Sequence, residues 1–433
     1  KGYIAVAMGN RKGWNPTSSD QNVRTSSLLQ AAYRGIQDAK AMVRFMRMTE
    51  DVAGNPFGID PDKIVLGGHG TGAYISLGYA TLDNAGVELN LSKFIDFSNP
   101  SAPAPYVVPY FFGNIDGTDL TFAPLYDTLG NLIPIIDTAG NMLGFQVDST
   151  MPLNIPNWPQ YSNDINMAFN LGGAIADISW LEAGDVPIVS FHCEKDPYAP
   201  IDTGDVIVPT TLEFVVEVMG SRTVQHYSNA YGNNDVFVQA GFTDAFTTAA
   251  NINNSGNEGL YIFKTPSPDT TANQFLQNYE EEGSPWDWWD NATYDAMFQA
   301  VNGSPPGYGA ANSILGNPDM SAAKGRAYID TVQGYLNPRI YVALGLGGST
   351  GISEVIDAST EIYPNPANNS LNIVSYAAGI NSVRIYNLNG QEVINTSVNA
   401  NQIKINTSSL ANGLYIVDIK SNNTSVKRKL IIE

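Results

Sequence analysis

Lys63-Ile64-Val65-Leu66 reads as a short buried strand and Ala73-Tyr74-Ile75-Ser76-Leu77-Gly78 as a helix. Only Gly67-Gly68-His69-Gly70-Thr71-Gly72 lies between them. A strand that turns into a helix through so glycine-rich a link belongs to a parallel α/β sheet, where each helix runs back along the strands. The residues before it agree. Gly2 to Met8 has a buried-strand pattern, and a helix is expected from Ser27 to Thr49, with Leu28, Ala32, Ile36, Ala39, Val43 and Met46 at helical spacing. Gly58-Ile59-Asp60-Pro61-Asp62 is a turn leading into the Lys63 strand.

After the helix, residues 82–182 read as a long cap insertion. It contains Asp127-Thr128-Leu129-Gly130-Asn131 and Asp137-Thr138-Ala139-Gly140-Asn141, two similar turns ten residues apart with apolar flanks. Val186 to His192 is the next core strand. Helices are expected near Thr211–Gly220 and Arg222–Tyr231, a last core strand at Gly259–Phe263, and closing helices and loops up to Tyr341. The Gly/Ser-rich stretch from Gly345 to Gly351 marks a boundary. Beyond it the apolar period becomes two, in short strands at 370–374, 383–386, 392–394, 403–405, 414–419 and 429–432. Asn389-Gly390 supplies a hairpin turn. The expected organisation is an α/β domain over 1–343, a linker over 344–356 and an all-β sandwich over 357–433.

The chain has 433 residues, with 22 basic against 42 acidic side chains and a formal net charge of −20. That balance argues against nucleic acid or an anionic membrane as partner, because either requires a basic face. No apolar run approaches the roughly 18 residues of a membrane span. A single cysteine, Cys193, excludes an internal disulfide framework and a cysteine-rich metal site, and its apolar strand makes it a small core residue. Asp116-Gly117-Thr118-Asp119 and Asp202-Thr203-Gly204-Asp205 could offer loop oxygens to calcium, but they lack EF-hand spacing and turn capping is the simpler reading. No metal or cofactor is expected.

The five positions Gly68, His69, Gly70, Thr71 and Gly72 have the outline of a G-x-S-x-G nucleophile elbow whose central serine is glycine. Together with Gln37-Asp38-Ala39, Val43-Arg44-Phe45 and the run from Phe57 to Ile64, they resemble secreted carboxylesterases of the α/β-hydrolase fold, from the fourth strand of that fold onward. The resemblance implies a mostly parallel sheet with a cap, a nucleophile at the position of Gly70 and a catalytic acid at Asp196, in Cys193-Glu194-Lys195-Asp196-Pro197-Tyr198-Ala199-Pro200. It also implies a histidine after the last core strand, and residues 264–283 contain none. Of the three histidines, His69 belongs to the elbow and His192 ends a strand. His226 lies on a predicted helix and is the remaining base candidate, a half-exposed helix histidine being the bland reading. Glycine at 70 cannot form an acyl-enzyme. In the resembled family, further strands and an oxyanion loop precede the Tyr3 strand. The expectation is that Lys1 is a cut and that self-association, or another chain of the assembly, supplies the missing strands.

Four C-terminal blocks occur in order: Tyr363-Pro364-Asn365-Pro366; Val383 to Val393, which includes Gly390; Leu410 to Val417, which includes Gly413; and Val426 to Ile432, which includes Lys427, Arg428 and Lys429. They resemble the type A sorting domain of the type IX secretion system. The resemblance implies the secretion machinery as partner and a destination outside the outer membrane of a Gram-negative bacterium. Thr128, Thr138, Ser149, Thr270 and Thr331 each follow an aspartate, and they resemble the Asp-Ser/Thr-apolar O-glycan sites of such bacteria. Trp286, Trp288 and Trp289 could stack on sugar or simply pack. These expectations combine into an exported pseudo-hydrolase that acts as a structural, adhesive, filament-forming or binding protein. The alternative is a secreted carboxylesterase acting on polymer or carbohydrate esters.

Overall fold

The computed structural model describes residues 2–100, 103–208, 211–265, 282–313, 317, 319–346, 360–375, 379–387, 390–421 and 424–433. Two compact units divide between Leu344 and Gly345. In the first, helix α1 (Gln21–Val52) starts where the Asp20 carboxylate accepts the Asn22 N–H at 2.8 Å. Its buried stripe is Leu29, Tyr33, Ile36, Ala39, Val43 and Met46. Strand β1 (Val65–His69) and helix α2 (Thr71–Thr81) follow. The insertion then carries β2 (Thr121–Pro124), β3 (Pro134–Ile136), β4 (Met142–Phe145) and β5 (Val147–Asn154). Next come β6 (Met167–Leu171), β7 (Ile188–Cys193), β8 (Thr203–Ile207), β9 (Phe214–Gly220), helix α3 (Ser221–Ala230) and β10 (Leu260–Phe263). Helices α4 (Asn291–Asn302) and α5 (Ala322–Ala343) close the unit.

The central sheet runs β1-β6-β7-β10, every pair parallel. Burial on both faces suits the apolar runs of β7 and β10. On one face α1 and α2 pack through Tyr33, Ile36, Ile75 and Leu77; on the other, α5 packs through Val332, Tyr335 and Leu336. Strands β8 and β9 form an antiparallel sheet with the short strand Ala174–Ile175.

Several expectations need correction. Gly2–Met8 forms no strand. It runs alongside with Ile4 and Val6 about half exposed, because no neighbouring ladder engages its backbone. The cap ends before residue 182, since Met167–Leu171 is a core strand lying between β1 and β7. Residues 214–220 are strand rather than helix: Val215, Val216 and Val218 are buried and the segment pairs with β8. The two Asp-led turns form as expected. The Asp127 carboxylate accepts the N–H groups of Leu129 and Asn131, and Asp137 those of Ala139 and Asn141.

The second unit is described by itself. Strands β11 (Thr360–Tyr363), β12 (Ser370–Ser375), β13 (Ile380–Asn387), β14 (Glu392–Ala400), β15 (Gln402–Asn406), β16 (Gly413–Ser421) and β17 (Thr424–Ile432) build two antiparallel sheets. Their orders are β11-β12-β15 and β14-β13-β16-β17. Leu371, Ile373, Val383, Ile385, Val417 and Leu430 form the core that they share. Residues 347–356 of the expected linker lie outside the described residues, as do 357–359 and Asn389.

Candidate functional site

Strand β1 ends at His69 and the chain turns at Gly70, whose φ of 54° and ψ of −118° place it where glycine is strongly favoured. The Gly70 N–H donates to the Leu171 carbonyl at 3.1 Å, and the Gly70 carbonyl accepts from Ala73 at 2.9 Å. The turn is therefore tied both to β6 and to the first turn of α2. A Cβ on Gly68 would lie 2.0 Å from the Gly72 carbonyl oxygen, so strand and helix approach too closely for any side chain there. A Cβ on Gly70 would meet nothing within 4 Å. Backbone and space for a projecting side chain are both present, and the side chain is not. Thr71, exposed in the first turn of α2, stands one residue past that position.

His69 has two partners that the sequence does not disclose. Its Nε2 lies 3.1 Å from Ser284 Oγ and 3.5 Å from Asp287 Oδ2, and its ring meets Trp286 edge-on at 5.7 Å. Burial raises the Asp287 carboxyl above the usual range, opposed by the His69 charge. A catalytic relay presents hydroxyl and carboxylate to opposite ring nitrogens, whereas here one nitrogen faces both. The Trp286 segment is the one sequence signal near this contact, and its side chains do pack: Trp286 is buried, Trp288 is 37% exposed, and Trp289 stacks on Tyr294.

Asp196 follows β7 in a turn, its side chain turned inward and 5% exposed. Its carboxylate accepts the N–H groups of Tyr198 at 2.8 Å and Ala199 at 3.1 Å. Burial nevertheless outweighs those bonds and pushes its pKa up to about 6. His192 Nε2 lies 3.8 Å from Asp196 Oδ2, but the pair is not a salt bridge. His192 is wholly buried, and desolvation lowers its pKa to about 4. Nε2–H donates to the Ala199 carbonyl at 3.0 Å, so Nδ1 accepts the Ser221 hydroxyl at 2.8 Å, the pattern of a neutral imidazole. His226 is exposed on α3 against the Tyr227 ring. No contact of its imidazole with the elbow residues or Asp196 is present among the described residues, which removes the structural basis for its role as base. Most of the loop expected to carry a histidine, residues 266–281, lies outside the described residues.

The two aspartate loops are engaged by the protein's own groups. Asp116 accepts Lys40 Nζ at 2.7 Å and Asn163 Nδ2 at 3.1 Å, while Asp202 pairs with Arg222 at 2.5 Å. Among the described residues no cluster of His, Cys, Asp or Glu could hold a metal ion. Cys193 is buried, and burial pushes its thiol well above the usual range. Thr128, Thr138 and Ser149 are exposed. Thr331 lies in α5 with its hydroxyl bonded to the Ala327 carbonyl, which makes it a poor modification site, and Thr270 lies outside the described residues.

Beside the elbow, β1 has no strand on its outer edge among the described residues. A groove of about 430 Å³ lies there, lined by Ile4, Val6, Met8, Ile64 and Leu66 and by Val43 and Met46 of α1.

In the second unit, Asn365 clamps the last strand. Its Nδ2 donates to the Lys429 carbonyl at 2.7 Å and its Oδ1 accepts the Ile431 N–H at 2.9 Å, between Pro364 and Pro366. Gly390 (φ 77°) closes the β13–β14 turn and Gly413 (φ 156°) opens β16. Lys427 and Lys429 lie on the outermost strand, while Arg428 reaches the Thr360 carbonyl at 3.1 Å.

No curated protein matches the chain. Among solved structures, it is similar to PorZ of Porphyromonas gingivalis, described as an essential bacterial surface component of the type-IX secretion system. That similarity has 21% identity over 21% of this chain and 13% of that one, with a TM-score of 0.17. It is also similar to the sulfur carrier protein SoxY from Chlorobium limicola f thiosulfatophilum, at 12% identity over 20% of this chain and 99% of that one, with a TM-score of 0.14. Neither likeness fixes the fold. No helix among the described residues is long and apolar enough to cross a membrane. Residues 361–433 match the secretion system C-terminal sorting domain, and the chain is exported through type IX secretion to the outer cell surface or extracellular space of a Bacteroidetes-type Gram-negative bacterium.

Proposed function

We propose that the first unit is an α/β-hydrolase-type scaffold without catalytic chemistry, exported to act as a structural, adhesive or binding protein. One observation carries this reading: the elbow at Gly70 keeps its turn, its ties to β6 and its open space, and has nothing to attack with. The side chain of Asp196, the expected acid, is buried in its own turn, and burial keeps His192 neutral. The free edge of β1 and the apolar groove beside it support the binding half of the reading, since a strand edge accepts an added strand through its backbone groups. The test is ester hydrolysis and fluorophosphonate labelling of the whole chain. Neither turnover nor label is expected, and Gly70→Ser is expected to gain none because a Cβ there meets nothing within 4 Å among the described residues. Turnover abolished by Asp196→Asn or His226→Gln would overturn the proposal.

A second reading, a secreted carboxylesterase, draws on the 3.1 Å approach of His69 Nε2 to Ser284 Oγ. Ser284 Oγ would attack the ester carbonyl, its proton passing to His69 and then to the departing alcohol, with water releasing the acyl group. A fluorophosphonate adduct on Ser284 that disappears in His69→Gln would establish it.

A further inference from the structure

The insertion carries a surface that neither reading uses. Two hairpins meet at Leu125, Ile133 and Gln146: Leu125 N–H donates to the Gln146 carbonyl at 2.9 Å, Gln146 N–H to Ile133 at 2.8 Å and Ile133 N–H to Leu125 at 3.2 Å. One hairpin closes through the Tyr126–Leu132 bridge and the Asp127 turn, the other through β3–β4 and the Asp137 turn. Both ladders are short, and a two-stranded hairpin is marginal by itself in water. Their apolar side chains are nevertheless turned to solvent: Tyr126 is 58% exposed, Leu129 84%, Ile136 57%, Met142 64% and Leu143 66%. Large apolar side chains exposed together on one short ribbon point to an interaction site.

We propose that this ribbon, residues 125–146, joins two copies of the chain, β4 pairing antiparallel with β4 of the second copy. Such pairing maps onto itself under a two-fold axis, so one surface serves both molecules. The ribbon's only charges are Asp127 and Asp137, both at the tips and both engaged by turn N–H groups. The band between them is therefore uncharged, which lets two molecules of net charge −20 meet there. Pro134 interrupts the N–H groups of β3 and makes it the poorer edge, leaving β4 to pair. Phe145 anchors the ribbon against Tyr110 and Phe111, so its order is already in place before association.

The inference is independent of whether the elbow is inert, because an active esterase would leave it standing. Light scattering on the whole chain is expected to give twice the chain mass, and Met142→Lys with Leu143→Lys to return it to one. The double variant should keep its circular dichroism and melting temperature in the first unit. Leu143→Cys should form a symmetric disulfide-linked dimer under mild oxidation, since the one native thiol is buried. A monomer at the highest concentration reached overturns the proposal. So does a dimer that is indifferent to the lysines and forms no cross-link in the Leu143→Cys variant.

Discussion

At the elbow, two glycines carry different physical burdens. Gly70 needs its backbone conformation: a side chain there has open space but must accept φ of 54°. Gly68 needs its missing Cβ, which would overlap the Gly72 carbonyl at 2.0 Å. Gly70→Ala is expected to cost about 1–2 kcal/mol, the strain of an unfavoured backbone region. Gly68→Ala should cost about 3 kcal/mol or more, because strand and helix must separate. Urea unfolding of the two variants checks the order, and equal losses would remove the distinction. Asp196 gives a second prediction. Its folded pKa of about 6 lies above the unfolded value near 3.8, so the folded state holds the extra proton between those values. Its contribution is fully present below about pH 4 and is lost as pH rises through about 6. Asp196→Asn keeps an acceptor for Tyr198 and Ala199 and escapes that loss. It should be more stable than the parent by about 2–3 kcal/mol at pH 7.5, the worth of roughly two pKa units, and equal to it near pH 4. His192 works in the opposite sense. Its folded value of about 4 lies below 6.5, so its neutral form stabilises above pH 6.5 and that support fades as pH falls towards 4. Only the difference between parent and Asp196→Asn isolates the carboxyl.

Elements are legible in the sequence wherever one signal dominates. Helix α1 has a long periodic stripe, and residues 21–26 and 50–52 escape notice because they lie outside it. β1, β7 and β10 are short apolar runs with turn residues at their ends. β6 hides inside the insertion because Asn170 interrupts its apolar pattern. The structure shows why asparagine suits that place: it is buried, its Nδ2 donating to Ser190 Oγ at 2.6 Å. β9 resembles helix in sequence since a brief apolar run does not settle its own period. What settles it is tertiary, the ladder with β8 and the Thr25 hydroxyl donating to the Val215 carbonyl at 2.6 Å. Near the site, the glycine turn between β1 and α2 is legible as local structure. The approach of Ser284 to His69 joins residues 215 apart in the chain and has no local signature. α5 is fixed in the same non-local way. Arg339 is fully buried, donating through Nε to Glu258 at 2.8 Å and through Nη1 to the Tyr335 carbonyl at 2.8 Å, with Phe242 4.6 Å from its guanidinium. Arg339→Met strands the Glu258 charge and should cost about 3–5 kcal/mol. Adding Glu258→Gln should recover part of that loss, and a double variant no better than the single would reject the pairing as the cause.

Over the whole molecule, the export address resides in one unit. The first unit carries the glycine turn at Gly70 between β1 and α2; the second carries the segment that a known family matches. The period change after Gly351 announces that division, because a helix-and-strand alternation cannot continue as a run of period-two strands in one sheet. The second unit has its own means of folding. Leu371, Ile373, Val383, Ile385, Val417, Ile419 and Leu430 fill the space between its two sheets, and Asn365 ties the first strand's exit to the last strand. A core drawn from both sheets is what a small sandwich requires to be stable alone. Residues 345–433 expressed by themselves should therefore unfold cooperatively and, fused behind a periplasmic reporter, carry it to the cell surface or medium of a type IX-secreting host. Asn365→Ala removes both ties to the last strand and should lower the melting temperature of that piece by several degrees, the equivalent of about 1–2 kcal/mol in so small a domain. If the fusion reached the surface while the isolated piece gave no cooperative transition, export would depend on the strand sequence alone and the folded sandwich would be incidental to it.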